Sequence, residues 1–337
     1  MPYFSIILSL FAISLWTEVP AIKANDSVVV YSGRAERLIK PVLDHFEKTT
    51  GTTVKLLTAG STELVNRLRA EKSRTPADVF ITNEAGALEL ARSLNLLQPI
   101  TLPSVATTIP EPFRAPDNSW IGLSGRMWVI VYNTNMVDPT TIHSLLDLAT
   151  PTWKGKLAIP TANSEYLHAG ASMILAAKGE QTANKFLKGI RDNAGNEVYG
   201  KNRQIVDAVA KGKVGVGIVN HYYIFRHLAK DPKAPIAPLI TDQAEDGMGS
   251  IMNVAGIGLT AHAKHLSAAN QLIEFLISPT GQEMFAHTNK EYPINPTVNA
   301  DPVIPPAASF RASTIPLTRL AELREPIIQE IQRLGLR

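Results

Sequence analysis

The sequence predicts an α/β protein of two lobes with largely parallel strands. At 337 residues the chain is longer than one that folds around a single ordinary hydrophobic core. Its residues are 45% hydrophobic and 19% charged, which is typical of globular proteins and excludes a disordered chain. Short β-branched segments alternate with segments of helical periodicity at the spacing of βαβ units. We therefore expect helices to pack against sheets in each lobe.

The predicted strands are short apolar runs bounded by polar or turn-forming residues. They are residues 27–31, 53–57, 77–81, 127–132, 157–159, 214–219 and 251–259. The extended stretch around residues 120–133 is long enough to pass from one lobe to the other, and residues 251–259 suit a second crossing strand.

The predicted helices follow the strands and have an apolar face. They are residues 35–50, a segment from Ser61 to before Pro76, a segment that ends near 175, and residues 182–190, 203–210, 268–277 and 316–334. Gly51 is expected to end the first helix, and Ser61 is a candidate N-cap for the second. Residues 230–238 contain several prolines and are expected to form a linker.

The first 24 residues predict a signal peptide. Residues 4–16 are apolar or small, and Ala24 is a small residue before the expected cleavage site. This run is too short to span a bilayer, and we expect no membrane span after cleavage. The sequence contains no cysteine, which excludes disulfides, thiolate metal sites and a lipid-modified cysteine. A soluble protein exported to the periplasm is expected.

The four residues Asn220–Tyr223 directly follow the predicted strand 214–219. Asn220 is a good N-cap, so the two neighbouring phenols are expected in the first turn of a helix at the carboxyl end of a strand. Ligands bind at that edge of an open α/β sheet, and the helix N-terminus favours an ionised phenol. Two phenolates are hard oxygen donors suited to Fe(III). The alternative is that one tyrosine packs in the core and the other lies on the surface.

Other polar strand exits favour an anion bound together with the cation. Ser32, Gly33 and Arg34 form one exit, and residues 161–166 form another. Glycine allows backbone N–H groups to approach an anion, and arginine binds carboxylate, carbonate or phosphate with a planar fork.

Charge balance makes this hypothesis specific. Three phenolates would neutralise one Fe(III), and a carbonate or similar anion would make the site negative. Arg34, Arg126 and Arg226 would then restore the balance and lower the pKa of the phenols. The alternative for each arginine is a surface salt bridge.

The sequence gives no sign of an enzyme or a nucleic-acid-binding protein. His221 and His168 lack partners at metal-ligand spacing, so we expect them next to the ligands or on the surface. The chain contains no P-loop, dinucleotide-binding, zinc-protease or nucleophile-elbow motif. The net charge is +3, and no run of five basic residues occurs.

With these residues identified, the chain resembles the periplasmic ferric-iron-binding proteins. This bacterial transferrin-like family supplies the substrate-binding components of iron(III) ABC transporters. The resemblance covers nearly all of the chain after the signal segment. It is carried by VVVYSGR at residues 28–34, RTPADVF at 74–80, LSGR at 123–126, TPTWKG at 150–155, VNHYY at 219–223 and EYPINP at 291–296.

The resemblance implies a type II periplasmic-binding-protein fold. That fold has two lobes of mixed sheets with helices on both faces, and a hinge of crossing strands closes it on the ligand. We predict a first lobe of residues 25–126 plus 254–304 and a second lobe of residues 127–253 plus 305–337, with the ligand cleft between them.

The resemblance also implies the metal ligands. The paired tyrosines of the family match Tyr222 and Tyr223, and a third tyrosine in some members matches Tyr166. Arg126 and Arg226 match arginines that lie beside the ligands.

The sequence departs from the family in its first lobe. Many relatives have a histidine after the first strand, where this chain has Ala35 and Glu36. Some have a glutamate ligand where this chain has Asn83, followed by Glu84. Glu36 or Glu84 is thus a possible first-lobe ligand, and carbonate, another anion or water held partly by Arg34 would complete the coordination. Tyr31 is expected to be a packed strand residue.

The function implied is Fe(III) binding and delivery to an inner-membrane ABC permease by a monomeric protein. The alternative is a related binding protein for a phosphonate or another organic ion. A third class, an exported hydrolase, lacks any supporting motif.

Overall fold

The computed structural model describes residues 27–336. The predicted signal peptide at residues 1–24 lies outside this part of the chain. Within it, every helix is too short or too polar to cross a membrane.

The strands and helices alternate along the chain much as their sequence patterns predict. The strands are β1 (Ser27–Ser32), β2 (Thr53–Thr58), β3 (Val79–Thr82), β4 (Leu97–Gln98), β5 (Trp120–Asn133), β6 (Leu157–Pro160), β7 (Val198–Tyr199), β8 (Val216–Asn220), β9 (Ile236–Leu239), β10 (Met252–Thr260) and β11 (Tyr292–Pro293). The helices are α1 (Glu36–Thr50), α2 (Ser61–Glu71), α3 (Ala85–Ser93), α4 (Pro103–Thr108), α5 (Glu165–Lys178), α6 (Glu180–Ala194), α7 (Asn202–Ala210), α8 (Tyr222–Leu228), α9 (Leu266–Ile277), α10 (Pro279–Glu283) and α11 (Leu320–Leu334).

Local sequence signals explain several of these boundaries. Gly51 ends α1 with a left-handed φ of 75°, and its N–H bonds to the carbonyl of Glu47. Ser61 begins α2 rather than capping it, since Gly60 occupies the cap position. The prediction of a linker at residues 230–238 is wrong in part because β9 forms there and pairs with β5.

The strands form a mixed arrangement in the order β2-β1-β3-β10-β5-β8-β6-β7. β1 is parallel to β2 and β3, and β6 is parallel to β7 and β8. β10 and β5 are antiparallel to their neighbours in the order. The expectation of largely parallel strands is therefore wrong, and the mixed sheets implied by the resemblance are confirmed.

Strand β5 joins the two lobes. Its residues up to Met127 pair with β10, and its residues from Trp128 onward pair with β8 and β9. We call the part built on β1–β4 and β10 the first lobe and the part built on β6–β9 the second lobe. Helix α11 packs against both α3 of the first lobe and α5 of the second. The lobe boundaries at residues 126, 254 and 304 stay a prediction.

The second lobe has helices on both faces of its sheet. Along β5, Trp128 and Ile130 point to the core that contains apolar residues of α5 and α6. Val129 and Val131 point to the opposite core, with residues of α7 and α8. This alternation follows from the two-residue period of a strand. It places α5 and α8, which carry the predicted tyrosine ligands, on opposite faces.

Candidate metal and anion site

The tyrosine pair lies at the junction of β8 and α8, although the junction differs from the prediction. Asn220 is the last residue of β8, paired with Trp128, and its N–H donates to Asn202 Oδ1 at 2.8 Å. His221 occupies the cap position with helical φ and ψ of −48° and −44°, without a side-chain cap. Asn220 is therefore not an N-cap, because strand pairing holds it extended.

The two phenol rings are in contact at this junction, tilted relative to each other. The ring centroids of Tyr222 and Tyr223 are 4.4 Å apart, with an angle of 32° between the planes. Tyr222 is fully buried, whereas Tyr223 is partly exposed. The Tyr222 hydroxyl has no hydrogen-bond partner among the described residues. A buried polar group of this kind normally has a partner, so the hydroxyl is positioned to contact a ligand.

Tyr166 comes from the first turn of α5 and meets the pair. Ser164 caps this helix by accepting a hydrogen bond from the N–H of Leu167 at 3.4 Å. The Tyr166 phenol is close enough to interact with Tyr223, and its ring lies 5.6 Å from the Arg126 guanidinium carbon. The three predicted ligands are thus brought together.

The pKa values of Tyr166 and Tyr222 are shifted upward. Burial raises the pKa of Tyr166, and the neighbouring Tyr223 raises it further. Burial also raises the pKa of Tyr222, followed by the effects of Tyr223 and Tyr166. Arg126 opposes both shifts but is the weaker effect. Arg126 lowers both pKa values, as predicted for the arginines, but the net shift is upward because burying a phenolate costs more free energy than this one cation restores.

Arg126 is a buried cation beside the cluster. It lies on β5 and interacts electrostatically with Tyr222, Tyr166 and Glu291. Its Nε and Nη1 atoms have no partner within residues 27–336. A buried guanidinium with free donors can bind a small anion such as carbonate.

Arg34 has a different partner from the anion predicted for it. Its guanidinium forms a fully buried ion pair with Glu291 at 2.9 Å, and Ser124 Oγ donates to the same carboxylate at 2.7 Å. The charge of Arg34 is thereby compensated within the protein. Glu291 belongs to the EYPINP segment, but no sequence pattern indicates a pairing between residues that lie 257 positions apart.

Gly33 serves a packing purpose. Its N–H donates to the carbonyl of Ile81 at 2.7 Å and so is not available to an anion, which corrects the predicted role. A Cβ at this position would lie 2.2 Å from Ser61 Oγ. The missing side chain therefore allows the start of α2 to approach β1 closely.

Arg226 bonds across the lobes. Its Nη1 donates to the carbonyl of Thr288 at 3.4 Å and to Asn289 Oδ1 at 3.3 Å. Asn289 in turn donates to the carbonyl of Leu38 in α1 at 3.1 Å. These contacts direct Arg226 towards the first lobe, whereas the prediction placed it beside the phenols.

The two first-lobe carboxylates lie in contrasting positions. Glu36 is exposed in the first turn of α1. Glu84 is buried and caps α3 by accepting from the N–H of Gly86 at 2.8 Å, while its Oε1 has no partner in the described chain. Burial, followed by the charge of Glu165, raises the pKa of Glu84 to about 7. In residues 27–336 no three His, Cys, Asp or Glu side chains form a metal-binding group.

Two first-lobe contacts were not predicted. Arg37 Nη2 lies 3.5 Å from the Tyr223 hydroxyl, so α1 brings a cation rather than a ligand to the pair. Ser61 donates to the carboxylate of Glu165, the residue before Tyr166. Both contacts join residues of different lobes that lie far apart in the sequence, and no local sequence pattern indicates them.

The remaining aromatic and imidazole candidates are structural. Tyr31 is a packed strand residue, as predicted, and its hydroxyl donates to Glu71 at 3.0 Å. His221 is fully buried, accepts from the N–H of Met127 at 3.1 Å, and has its pKa lowered to about 3 by burial. His168 is also buried, with Nε2 at 2.6 Å from the carbonyl of Ala162. The prediction that either histidine could lie on the surface is therefore wrong.

The phenol cluster is not part of the apolar cavity beside β11. This cavity of about 930 Å³ lies between β11 and residues 307–318, and mostly apolar side chains such as Phe113, Met252 and Phe310 line it. None of the three predicted ligands lines this cavity. The site is therefore defined by its buried polar atoms and not by cavity volume.

The fold and the polar cluster between its lobes define a solute-binding protein. The model of the bacterial extracellular solute-binding protein family matches residues 28–288, and the chain belongs to this family.

Its relatives are more specific. The chain is 31% identical over 302 residues to the Fe(3+)-binding periplasmic protein of Serratia marcescens. The aligned residues cover 89% of this chain and 88% of that protein. An iron- and citrate-bound protein of Trichodesmium is 30% identical with a TM-score of 0.81, covering 92% of this chain and all of the other. The ferric binding protein of Campylobacter jejuni is 28% identical with a TM-score of 0.86 over 92% of this chain and 100% of its own.

Proposed function

We propose that this protein binds Fe(III) through Tyr166, Tyr222 and Tyr223 and delivers it to an ABC permease for iron uptake. The observation that carries the proposal is the buried Tyr222 hydroxyl, which has no partner in residues 27–336 and lies beside a second phenol. Phenolate oxygens are hard anionic donors, and Fe(III) is a hard, highly charged cation. This match of donor and cargo is the chemical basis of the proposal.

Binding must exchange protons for the metal ion. Burial raises the pKa of Tyr166 and Tyr222, so both phenols are neutral in the metal-free protein near neutral pH. Fe(III) supplies the positive charge that three phenolates need, and the protons leave to solvent. Neutral Tyr166 and Tyr222 avoid the cost of burying two uncompensated negative charges in the metal-free protein.

We propose that Arg126 holds a synergistic anion such as carbonate beside the metal ion. Its two free donors and its position near Tyr222 and Tyr166 support this assignment. Arg34 is not needed for the anion, because Glu291 compensates it. Glu84 stays a candidate first-lobe ligand through its free Oε1, while the exposed position of Glu36 gives it no support.

The relatives support the same cargo and location. The Serratia protein is named for periplasmic Fe(3+) binding, and the Trichodesmium structure contains iron and citrate. We propose that the chain acts in the periplasm as a monomeric binding protein and not as an enzyme. The alternative of a phosphonate or organic ion gains no support from these relatives.

The test is the visible spectrum of the protein with ferric citrate. The wild-type protein should show a phenolate-to-iron charge-transfer band, and the combined Tyr222→Phe and Tyr223→Phe variant should lose it. Tyr199→Phe is a matched control, because this phenol lies outside the cluster. Its hydroxyl donates a hydrogen bond to Glu197 Oε2 at 2.6 Å. An unchanged band in the double variant would remove the pair as ligands.

A further inference from the structure

We propose that Glu165 is a positioning residue that latches the two lobes together and thereby holds Tyr166 in the metal site. This inference rests on the proposed function of the tyrosine cluster. The latch is distinct from the ligands, because the Glu165 carboxylate points to the first lobe.

The contact has a specific geometry. Glu165 Oε1 accepts a hydrogen bond from the backbone N–H of Ser61 at 3.0 Å. Its Oε2 accepts from Ser61 Oγ at 3.2 Å. Ser61 is the first residue of α2 in the first lobe, and Glu165 is the first residue of α5 in the second. Both carboxylate oxygens of Glu165 thus accept hydrogen bonds from one residue of the opposite lobe.

The Ser61 end of the latch is held rigidly. Ser61 is fully buried, and the missing Cβ of Gly33 allows its close approach to β1. The N-terminus of α2 also carries partial positive charge, which favours a carboxylate there. With Glu165 ionised, both hydrogen bonds would be charge-assisted and therefore stronger than bonds between neutral groups.

Burial raises the pKa of Glu165, while the hydrogen bonds from Ser61 and the charges of two arginines oppose that rise. Arg324 of α11 donates to Thr62 Oγ1 at 2.7 Å, next to Ser61, and its charge acts on Glu165. Arg126 acts on Glu165 in the same direction. Glu84 is the opposing neighbour, since its carboxylate and that of Glu165 repel each other. The latch therefore lies within a balanced group of charges rather than on an exposed rim.

The latch couples closure to coordination through one helical turn. Glu165 and Tyr166 are consecutive residues in the first turn of α5, and the Ser164 cap fixes that turn. When the lobes separate, Glu165 loses Ser61 and Tyr223 loses Arg37, which lies in the first lobe. Bound iron is then held by a cluster open to water, so loss of the latch should speed release.

The decisive variants are Glu165→Ala and Ser61→Ala, with Glu165→Gln as the conservative variant. Gln retains an oxygen that can accept from the Ser61 N–H, so it should restore part of the wild-type behaviour. Glu180→Ala is the matched control, because Glu180 is the exposed first residue of α6. It removes the same side chain from the same helical position without an interlobe contact.

Each protein is loaded with ferric citrate, and the loss of the charge-transfer band is followed after addition of excess chelator. Glu165→Ala should retain the band but release iron roughly ten-fold faster or more, as expected for two lost hydrogen bonds to a charged group. Ser61→Ala should give a smaller increase, because its backbone N–H remains. Glu180→Ala should match the wild-type rate.

Small-angle X-ray scattering of the metal-free proteins tests the latch without iron. Glu165→Ala should have a larger radius of gyration than the wild type. The latch is refuted if Glu165→Ala has both the wild-type release rate and the wild-type radius. It is also refuted if that variant loses the band at an unchanged radius, since Glu165 would then act on the metal ion itself. Absence of the band in the wild type would refute the proposed function, and scattering would still decide the latch.

Discussion

The buried carboxyl of Glu84 predicts a specific pH dependence of stability. Its pKa is raised from 4.5 to about 7, first by burial and then by Glu165. A carboxyl whose pKa is raised by folding prefers the protonated form in the folded state. Its contribution is therefore fully present below pH 4.5 and is lost as the pH rises through about 7. At 1.36 kcal/mol per pKa unit, the loss is roughly 3 kcal/mol.

Glu84→Gln isolates this contribution. Glutamine is neutral at every pH and can still accept the hydrogen bond from Gly86 that caps α3. At about pH 8 the variant should be more stable than the wild type by up to roughly 3 kcal/mol, and at about pH 4.5 the two should be similar. The free energy of unfolding is measured in urea across this range.

The comparison controls for the other acidic residues. Every other ionisable group is present in both proteins, so the effect of Glu165 cancels unless it depends on Glu84. Glu63→Gln is a matched control, because Glu63 is an exposed carboxyl in the first turn of α2. It should produce the same small change at both pH values. A stability difference between Glu84→Gln and the wild type that does not vary with pH would refute the buried-charge reasoning.

Further predictions concern the site and its supports. Iron affinity should rise steeply with pH, with up to about three protons released per ion, measured by titration at several pH values. Arg126→Gln should weaken iron binding by roughly ten-fold or more and remove any dependence on added bicarbonate, measured by competition with a chelator. Arg37→Ala should speed iron release by at most about ten-fold, since this cation near Tyr223 is exposed to solvent. Gly170→Ala should destabilise the protein by about 1–3 kcal/mol despite better helix propensity, because the new Cβ would lie 2.1 Å from Trp128, as checked by urea unfolding.

The sequence predicts best what is determined locally. The strand before the tyrosine pair and the helix after it follow from an apolar β-branched run and a change of periodicity within a few residues. The exact boundary does not follow. Asn220 has the side chain of an N-cap, but its pairing with Trp128 keeps it in the strand. Tertiary pairing thus overrides a local preference.

Contacts between residues that lie far apart in the sequence could not be predicted in the same way. Arg34 and Glu291 are 257 residues apart, and Ser61 and Glu165 are 104 apart. Each of these residues has several chemically reasonable roles, and only the folded topology selects one. The sequence pattern of Gly33 indicated an anion-binding turn, whereas the structure uses its missing side chain to accommodate Ser61.

We expect proton exchange at the phenols to link tight binding and release in one site. When water reaches the cluster, it brings protons to Tyr166 and Tyr222, and a phenol that takes up a proton no longer binds Fe(III) as a phenolate. A closed cleft excludes those protons, and an open cleft admits them. A mechanism that separates the lobes therefore weakens the coordination without needing a second ligand to extract the ion. The Glu165–Ser61 contact acts on this step, since it holds the lobes together beside a metal ligand.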